Sequence, residues 1–262
     1  MAQDSKILTS ERQQRIVEMA RRQEVVRVSE LTRLFDVSEV TIRHDLSVLV
    51  GKGLLIRQQG GAVINSRTDL ALAVEQRAGL NLEIKRAIGM TAAQLVKPGD
   101  TVLIDAGTTN LEFAKKLPEI SPLTVVTHAL NIATRVGALR DVDVVLLGGL
   151  LCRNTVSTVG PTVIRELDDL IVSKLFLGVH AVDPVMGLTD VSRETAQIKR
   201  AMIKAAKQVI LLADSSKWGK SALVKIMPLS AVHVVVSDAR LSAAHRKAIK
   251  ALGIKLILVG EN

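Results

Sequence analysis

The chain has 262 residues, is 48% hydrophobic and carries a formal net charge of +9, which suffices for one large core or two smaller ones. No apolar run reaches the roughly 18 residues of a membrane span. The opening "MAQDSKILTSERQQR" lacks the apolar core of a signal peptide, and a single cysteine, Cys152, leaves no disulfide framework or cysteine-rich metal site. A cytoplasmic protein is expected, with no cofactor and no bound metal.

The positive charge favours anionic partners but is not concentrated at one end. Residues 1–65 carry a net +2 and the remainder +7. Aromatic residues make up 2% of the chain and tyrosine is absent, too few rings for the stacking platforms that hold single strands. A nucleic-acid partner would therefore be a duplex.

In chain order, the first 64 residues read as short helices. Ile16, Met19 and Ala20 share a face of the first. In "VSELTRLF", Ser29 is placed to cap a second helix on which Leu31, Leu34 and Phe35 fall together. After a break at Asp36-Val37, Ser38 caps a third, "SEVTIRHDLSVL". There Ile42, Leu46 and Leu49 occupy one sector, with Val40, Arg43, His44 and Ser47 roughly opposite. "LLIRQQGGAVI" then reads as a hairpin turning at Gly60-Gly61.

That order is the outline of a winged helix-turn-helix at residues 9–64, whose third helix enters the major groove. Arg43 suits a guanine edge, Val40 a thymine methyl, and Ser47 a small polar contact. Thr41 is placed for a phosphate, and Arg57 in the wing for a phosphate or the minor groove. A plain helical bundle is the alternative that periodicity alone leaves open.

A linker is expected at 65–82. From 83 to 262 the rhythm changes to buried-strand runs: "TVLIDA", "LTVVT", "VDVVLLGG", "KLFLGV", "QVILLAD", "VHVVVSD" and "IKLILV". Most are separated by helical lengths such as Leu111–Leu117, Pro161–Ile171 and Glu194–Lys207. Alternation of this kind implies a largely parallel α/β sheet covered on both faces, with ligands gathering at the carboxyl ends of its strands.

The residues at those places resemble a known family. "VSEVTIRHDLSVLVGKGLLIRQQGGAV" looks like the signature of DeoR-type transcriptional regulators. "GDTVLIDAGTTN", "VVTHALNIA", "LLGG", "LFLGVHAVD", "GLT" and "LADSSKW" are similar, in order, to the sugar-phosphate sensor domain of that family. The resemblance spans nearly the whole chain. Two positions depart from it. His44 replaces the usual second Arg of T-I-R-R, which bears on the operator read, and His128 replaces the usual Asn of V-T-N, which bears on the effector. Each also has a local reading, as a part-exposed helix residue and as a hydrogen-bonded strand-end residue.

The sensor domain in turn resembles ribose-5-phosphate isomerases and glucosamine-phosphate deaminases. The resemblance puts an effector phosphate on Gly107, Thr108 and Thr109, beside Asp105. His128 and Gly148 stand at neighbouring strand ends, Asp183 and Glu194 match acidic positions of the isomerase site, and Lys217 matches a lysine at its rim. Aldose–ketose isomerisation needs a base and a cation to steady the enediolate. The isomerase lysine that precedes the glycine-rich turn has no counterpart in "PVMGLT", and Asp183 stands alone. The resemblance thus implies a repressor of a sugar-catabolism operon, binding double-stranded operator DNA as a homo-oligomer, dimer or tetramer, under control of a phosphorylated sugar. A sugar-phosphate isomerase or deaminase with a DNA-binding appendage is the alternative.

Overall fold

The computed structural model describes residues 9–23, 25–64, 78–117 and 122–260. The chain divides into two compact units, Met1–Leu72 and Ala73–Asn262. The expected linker falls mostly on residues 65–77, outside the described residues.

The first unit runs α1 (Thr9–Gln23), β1 (Val25–Arg27), α2 (Val28–Phe35), α3 (Glu39–Gly51), β2 (Leu55–Gln58) and β3 (Gly61–Ile64). One core of Ile16, Ala20, Leu31, Phe35, Ile42, Leu46 and Leu49 joins the three helices. The β2–β3 hairpin forms as the spacing requires, and β1 pairs with β3 to give the order β1-β3-β2. That third strand is not legible in the sequence. Two local expectations need correction. Helix α2 starts at Val28 with Arg27 at its N-cap and no side-chain cap, so Ser29 lies inside the first turn. Leu34 is 57% exposed, because it lies about 100° round the helix from Phe35, at the margin of the Val28–Leu31–Phe35 stripe. The Ser38 cap does form, accepting from the Thr41 amide at 3.2 Å.

A buried ion pair also ties α1 to α3. Arg12 Nε donates to Asp45 Oδ2 at 2.6 Å, with both side chains at most 8% exposed. Gln13 takes the other oxygen at 2.9 Å.

In the second unit, all seven apolar runs become strands of one sheet: β4 (Thr101–Ile104), β5 (Leu123–Thr127), β6 (Val142–Leu146), β9 (Val172–Leu177), β12 (Ala206–Leu212), β14 (Val234–Asp238) and β15 (Lys255–Val259). Their order is β15-β14-β12-β9-β4-β5-β6, and every pairing is parallel. Side chains alternate between two cores, as strands buried on both faces must. Val102, Ile104, Phe176, Ile210 and Val236 pack with helices α4 (Leu82–Ala93), α5 (Thr108–Ala114) and α6 (Leu130–Val136). Leu103, Leu175, Leu177, Leu211 and Val235 pack with α7 (Pro161–Asp168), α8 (Arg193–Ala205) and α9 (Ala243–Ala251).

Two antiparallel pieces lie outside the main sheet. One is the pair β7 (Leu150–Cys152) and β8 (Ser157–Val159). The other is the sheet β10 (Ala181–Asp183), β11 (Gly187–Asp190) and β13 (Val224–Met227). No described helix is long and apolar enough to cross a membrane.

Strand order sets where a ligand fits. From β4 the chain builds outward through β5 to β6, then returns to place β9 on the other side of β4 and continues to β12, β14 and β15. The adjacent strands β4 and β9 therefore form the switch point, where connections leave on opposite faces and open a crevice at the carboxyl ends.

Candidate effector and DNA-binding sites

At the switch point, β4 is followed by Asp105 and β9 by Gly178. The Asp105 amide donates to Phe176 O at 3.0 Å, and the Gly178 amide donates to Asp105 Oδ2 at 3.1 Å. The same carboxylate oxygen lies 3.2 Å from Nζ of Lys199, a residue of α8, and Lys199 lies 3.2 Å from Asp190 Oδ2 at the end of β11. Lys199 also donates to Gly178 O at 2.6 Å. His180 Nδ1 stands 3.1 Å from Asp190 Oδ1. On the other side, His128 at the end of β5 faces Asp105 Oδ1 through Nε2 at 3.2 Å and contacts Thr158 O through Nδ1 at 2.8 Å.

This row of charges is interior. Asp105, Asp190, Lys199 and His128 are each at most 4% exposed. Burial alone would raise the Asp105 pKa, but Lys199 and the His128 hydrogen bond outweigh it and hold the carboxyl below the usual carboxylate range. Asp190 is lowered against the same burial penalty by Lys199 and His180. Burial would lower the Lys199 pKa, and its two carboxylate neighbours reverse that and raise it. Two ionised carboxylates bridged by one ammonium form a closed arrangement, with every charge opposed within about one hydrogen-bond length.

Both Asp105 oxygens and both His128 nitrogens face protein groups, so these residues join the carboxyl ends of β4, β5 and β9. The sequence reading gave Lys199, Asp190 and His180 no role. A lysine is present in this site, from α8 and not from the stretch before the glycine-rich turn.

What remains open is the turn above them. Gly107 is the N-cap of α5 with φ +145°, a backbone state nearly closed to residues with a side chain, and an added Cβ would meet nothing within 4 Å. Thr108 is buried and Thr109 half-buried. Neither hydroxyl is taken by another described residue. Asn110 anchors the turn, donating through Nδ2 to Asp105 O at 2.8 Å. Its Oδ1, buried, has no partner among the described residues.

The other expected effector residues are spread along the strand ends. Gly148 follows β6, two strands from β4, and its amide donates to Glu166 Oε2 at 2.9 Å. Glu194 is exposed in the first turn of α8, with Oε1 4.0 Å from where a Cβ on Gly160 would lie. Asp183 serves its own hairpin. Its Oδ1 accepts from the amides of Val185 and Met186, each at 2.9 Å, and these bonds lower its pKa. Lys217 ends the 3-10 turn Ser215–Lys217 after β12, two strands from β4 on the opposite side. This turn is firmly seated: Asp214 Oδ1 accepts from Ser216, and Asp238 accepts from the Ser215 amide and hydroxyl. Trp218 follows at 5% exposure, its ring 5.8 Å from that of His245.

In the first unit, Val40, Arg43, His44 and Ser47 all emerge exposed on α3, opposite the buried Ile42, Leu46 and Leu49. Arg57 is exposed on β2. A carboxylate shares the face: Glu39 Oε2 accepts from Arg43 Nη2 at 3.0 Å. The Ser47 hydroxyl donates to Arg43 O at 2.8 Å, and the Ser38 and Thr41 hydroxyls lie 2.8 Å apart. Among the described residues no group of acids, histidines or cysteines is arranged to hold a metal.

A winged helix-turn-helix joined to a doubly wound α/β domain defines a DNA-binding regulator with a sensor domain. A family model described as "DeoR-like helix-turn-helix domain" matches residues 12–68, and one described as "DeoR C terminal sensor domain" matches residues 80–239. The chain belongs to the DeoR family and is a transcriptional regulator, not an enzyme. It is 34% identical to the HTH-type transcriptional regulator GlpR of Haloferax volcanii, over 96% of this chain and 98% of the relative. It is 36% identical to the transcriptional repressor AccR of Agrobacterium fabrum, over 88% and 90%. It is 31% identical to the HTH-type transcriptional repressor GlcR of Bacillus subtilis, over 84% of each. Among solved structures, ribose 5-phosphate isomerase A from Neisseria gonorrhoeae is similar at 18% identity and a TM-score of 0.38, over 54% of this chain and 55% of that one.

Proposed function

We propose that the protein represses a sugar-catabolism operon in the cytoplasm, binding double-stranded operator DNA as a homo-oligomer, and that a phosphorylated sugar controls it from the β4–β9 crevice. One observation carries the effector reading. At the switch point, Gly107–Thr109 forms an open turn whose two hydroxyls are unspent, fixed from below by Asn110 and the Asp105–Lys199 pair. Backbone amides and hydroxyls of this kind donate to a phosphate, while the sugar lies along the strand ends toward His180 and Glu194. Lys217 supplies a point charge at the rim. DNA recognition rests on the exposed α3 face, with Arg43 reading a base and Thr41, Ser38 and Arg57 holding the backbone. A single head covers little groove surface, which favours a dimer or tetramer reading repeated half-sites.

Thermal-shift measurements test this with ribose 5-phosphate, hexose 6-phosphates and amino-sugar phosphates, each beside its unphosphorylated sugar. At least one phosphate should raise the melting temperature and change operator affinity in a gel shift. Equal effects from the unphosphorylated sugars would refute the reading.

A further inference from the structure

We infer that helix α4 carries the state of the effector site to the DNA-binding unit, through two attachments to opposite rims of that site. The inference rests on the effector reading above. Helix α4 stands four residues after residues 65–77, near the start of the second unit.

One attachment is Asn81, the N-cap of α4. An asparagine there ordinarily turns its side-chain oxygen onto the free amides of the first turn. Asn81 makes no such bond and adopts φ +51°. Its amide instead reaches across the sequence and donates through Nδ2 to Asp214 Oδ1 at 3.4 Å. That oxygen also accepts from the Ser216 amide at 3.0 Å, so it organises the turn ending in Lys217. The helix forgoes a local cap and gains a tie to the rim.

The other attachment is backbone against backbone. A Cβ on Gly89 would lie 2.7 Å from Glu112 C and from Phe113 N, so α4 and α5 touch with no side chain between them. Arg86 adds a contact to Glu112 at 3.8 Å. Helix α5 begins immediately after Gly107, and Phe113 is locked in turn by stacking on Phe176 of β9 at 4.0 Å.

An anion held between Gly107–Thr109 and Lys217 draws the two rims together. A helix pinned to α5 at its middle and to the Lys217 turn at its N-cap answers by moving its first turn. This is a discrete packed element biased by ligand, the physical requirement for coupling between sites.

The test uses the full-length protein and Asn81→Gly, which keeps the left-handed backbone at no steric cost and deletes only the tie. Asn81→Asp, a second variant, places a carboxylate against Asp214. Hydrogen exchange is followed with excess inorganic phosphate, the group common to every sugar phosphate. In the parent, protection is expected at 107–110, at 215–217 and in the first turn of α4. In both variants it should persist at 107–110 and 215–217 and vanish from α4. The operator response to the sugar phosphate with the largest thermal shift should shrink about fivefold or more, with operator affinity in its absence unchanged. By reciprocity, effector affinities measured with and without operator should converge. Parent-like protection of α4 or a parent-like operator response in the variants overturns the inference. So does protection in the parent that never reaches α4. Failure of phosphate to protect 107–110 at all would remove the effector reading, and this inference with it.

Discussion

Arg43 and Glu39 face each other one turn apart on α3, the guanidinium donating to the carboxylate at 3.0 Å. The side chain best suited to read a guanine is thus occupied in the free protein. Both partners are more than half exposed, so the pair holds Arg43 weakly, by about 0–1 kcal/mol. Glu39→Gln should release Arg43 and remove a negative charge near the phosphates, tightening operator binding severalfold in a titration at fixed salt. Weaker binding would show that the carboxylate positions the arginine.

Arg43→Ala should cost about 1–3 kcal/mol at the operator and flatten base preference at one position. Arg57→Ala should weaken all sequences evenly and reduce the salt slope by about one unit. Parent-like operator binding by Arg43→Ala would displace α3 as the reading helix.

Removing Arg12 leaves Asp45 buried with only Gln13 opposite it. Breaking one side of such a pair costs about 3–5 kcal/mol, a large share of what a small unit has. Arg12→Ala should therefore melt the first unit early and abolish operator binding. The sensor transition should be unchanged in calorimetry, because the ion pair lies wholly in the other unit.

Lys199 makes a prediction with a pH signature. In the parent, the depressed pKa values of Asp105 and Asp190 contribute stability that is present above about pH 4, the unfolded carboxylate value, and is lost as pH falls below it. The raised Lys199 pKa contributes stability present below about pH 10.4, its unfolded value, and lost above it. Lys199→Met leaves two buried carboxylates without their bridge, so at least one pKa must rise above its unfolded value. The variant should lose about 3–5 kcal/mol at neutral pH and recover part of it on acidification toward pH 5, opposite in slope to the parent. A chemical-denaturation series across pH shows whether the slope reverses.

Thr108→Val with Thr109→Val removes two hydroxyl donors and sets methyl groups against a dianion. Hydrogen bonds to a charged group contribute about 1.5–3 kcal/mol each, so effector affinity should fall at least about tenfold. Operator binding without effector should stay near that of the parent. Lys217→Ala should show a milder loss, since a flexible point charge adds less than a fixed turn. A double variant that responds at parental effector concentrations would reduce the turn to an ordinary strand-to-helix connection.

Much of the fold is legible in the sequence because strands of a sheet covered on both faces are continuous apolar runs, and all seven were readable as such, the edge strand β6 with its exposed Val145 and Leu146 included. Their order was not, since β9 pairs with β4 across about seventy residues of chain and nothing local in either strand names its neighbour. The exposed face of α3, Val40 to Ser47, was legible from about two turns of helical periodicity. The interior charges were not. Lys199 stands in "AQIKRAMIKAA", where a lysine ordinarily reads as a solvated face. The signal was its position three residues after Ala196 and four before Ile203, both buried, on the stripe where a charge is tolerated only if opposed. Its partners come from β4 and β11, and only the folded sheet brings them within reach.

The lone tryptophan of this chain follows Lys217 directly, closely packed against His245, in a protein without tyrosine. Its emission therefore comes from one place, free of energy transfer from phenolic rings. The protein carries an optical probe at the rim of the proposed effector cleft. A shift in colour or anisotropy on adding a sugar phosphate would report motion of the Ser215–Lys217 turn in real time, without a label, and stopped-flow mixing would give its rate.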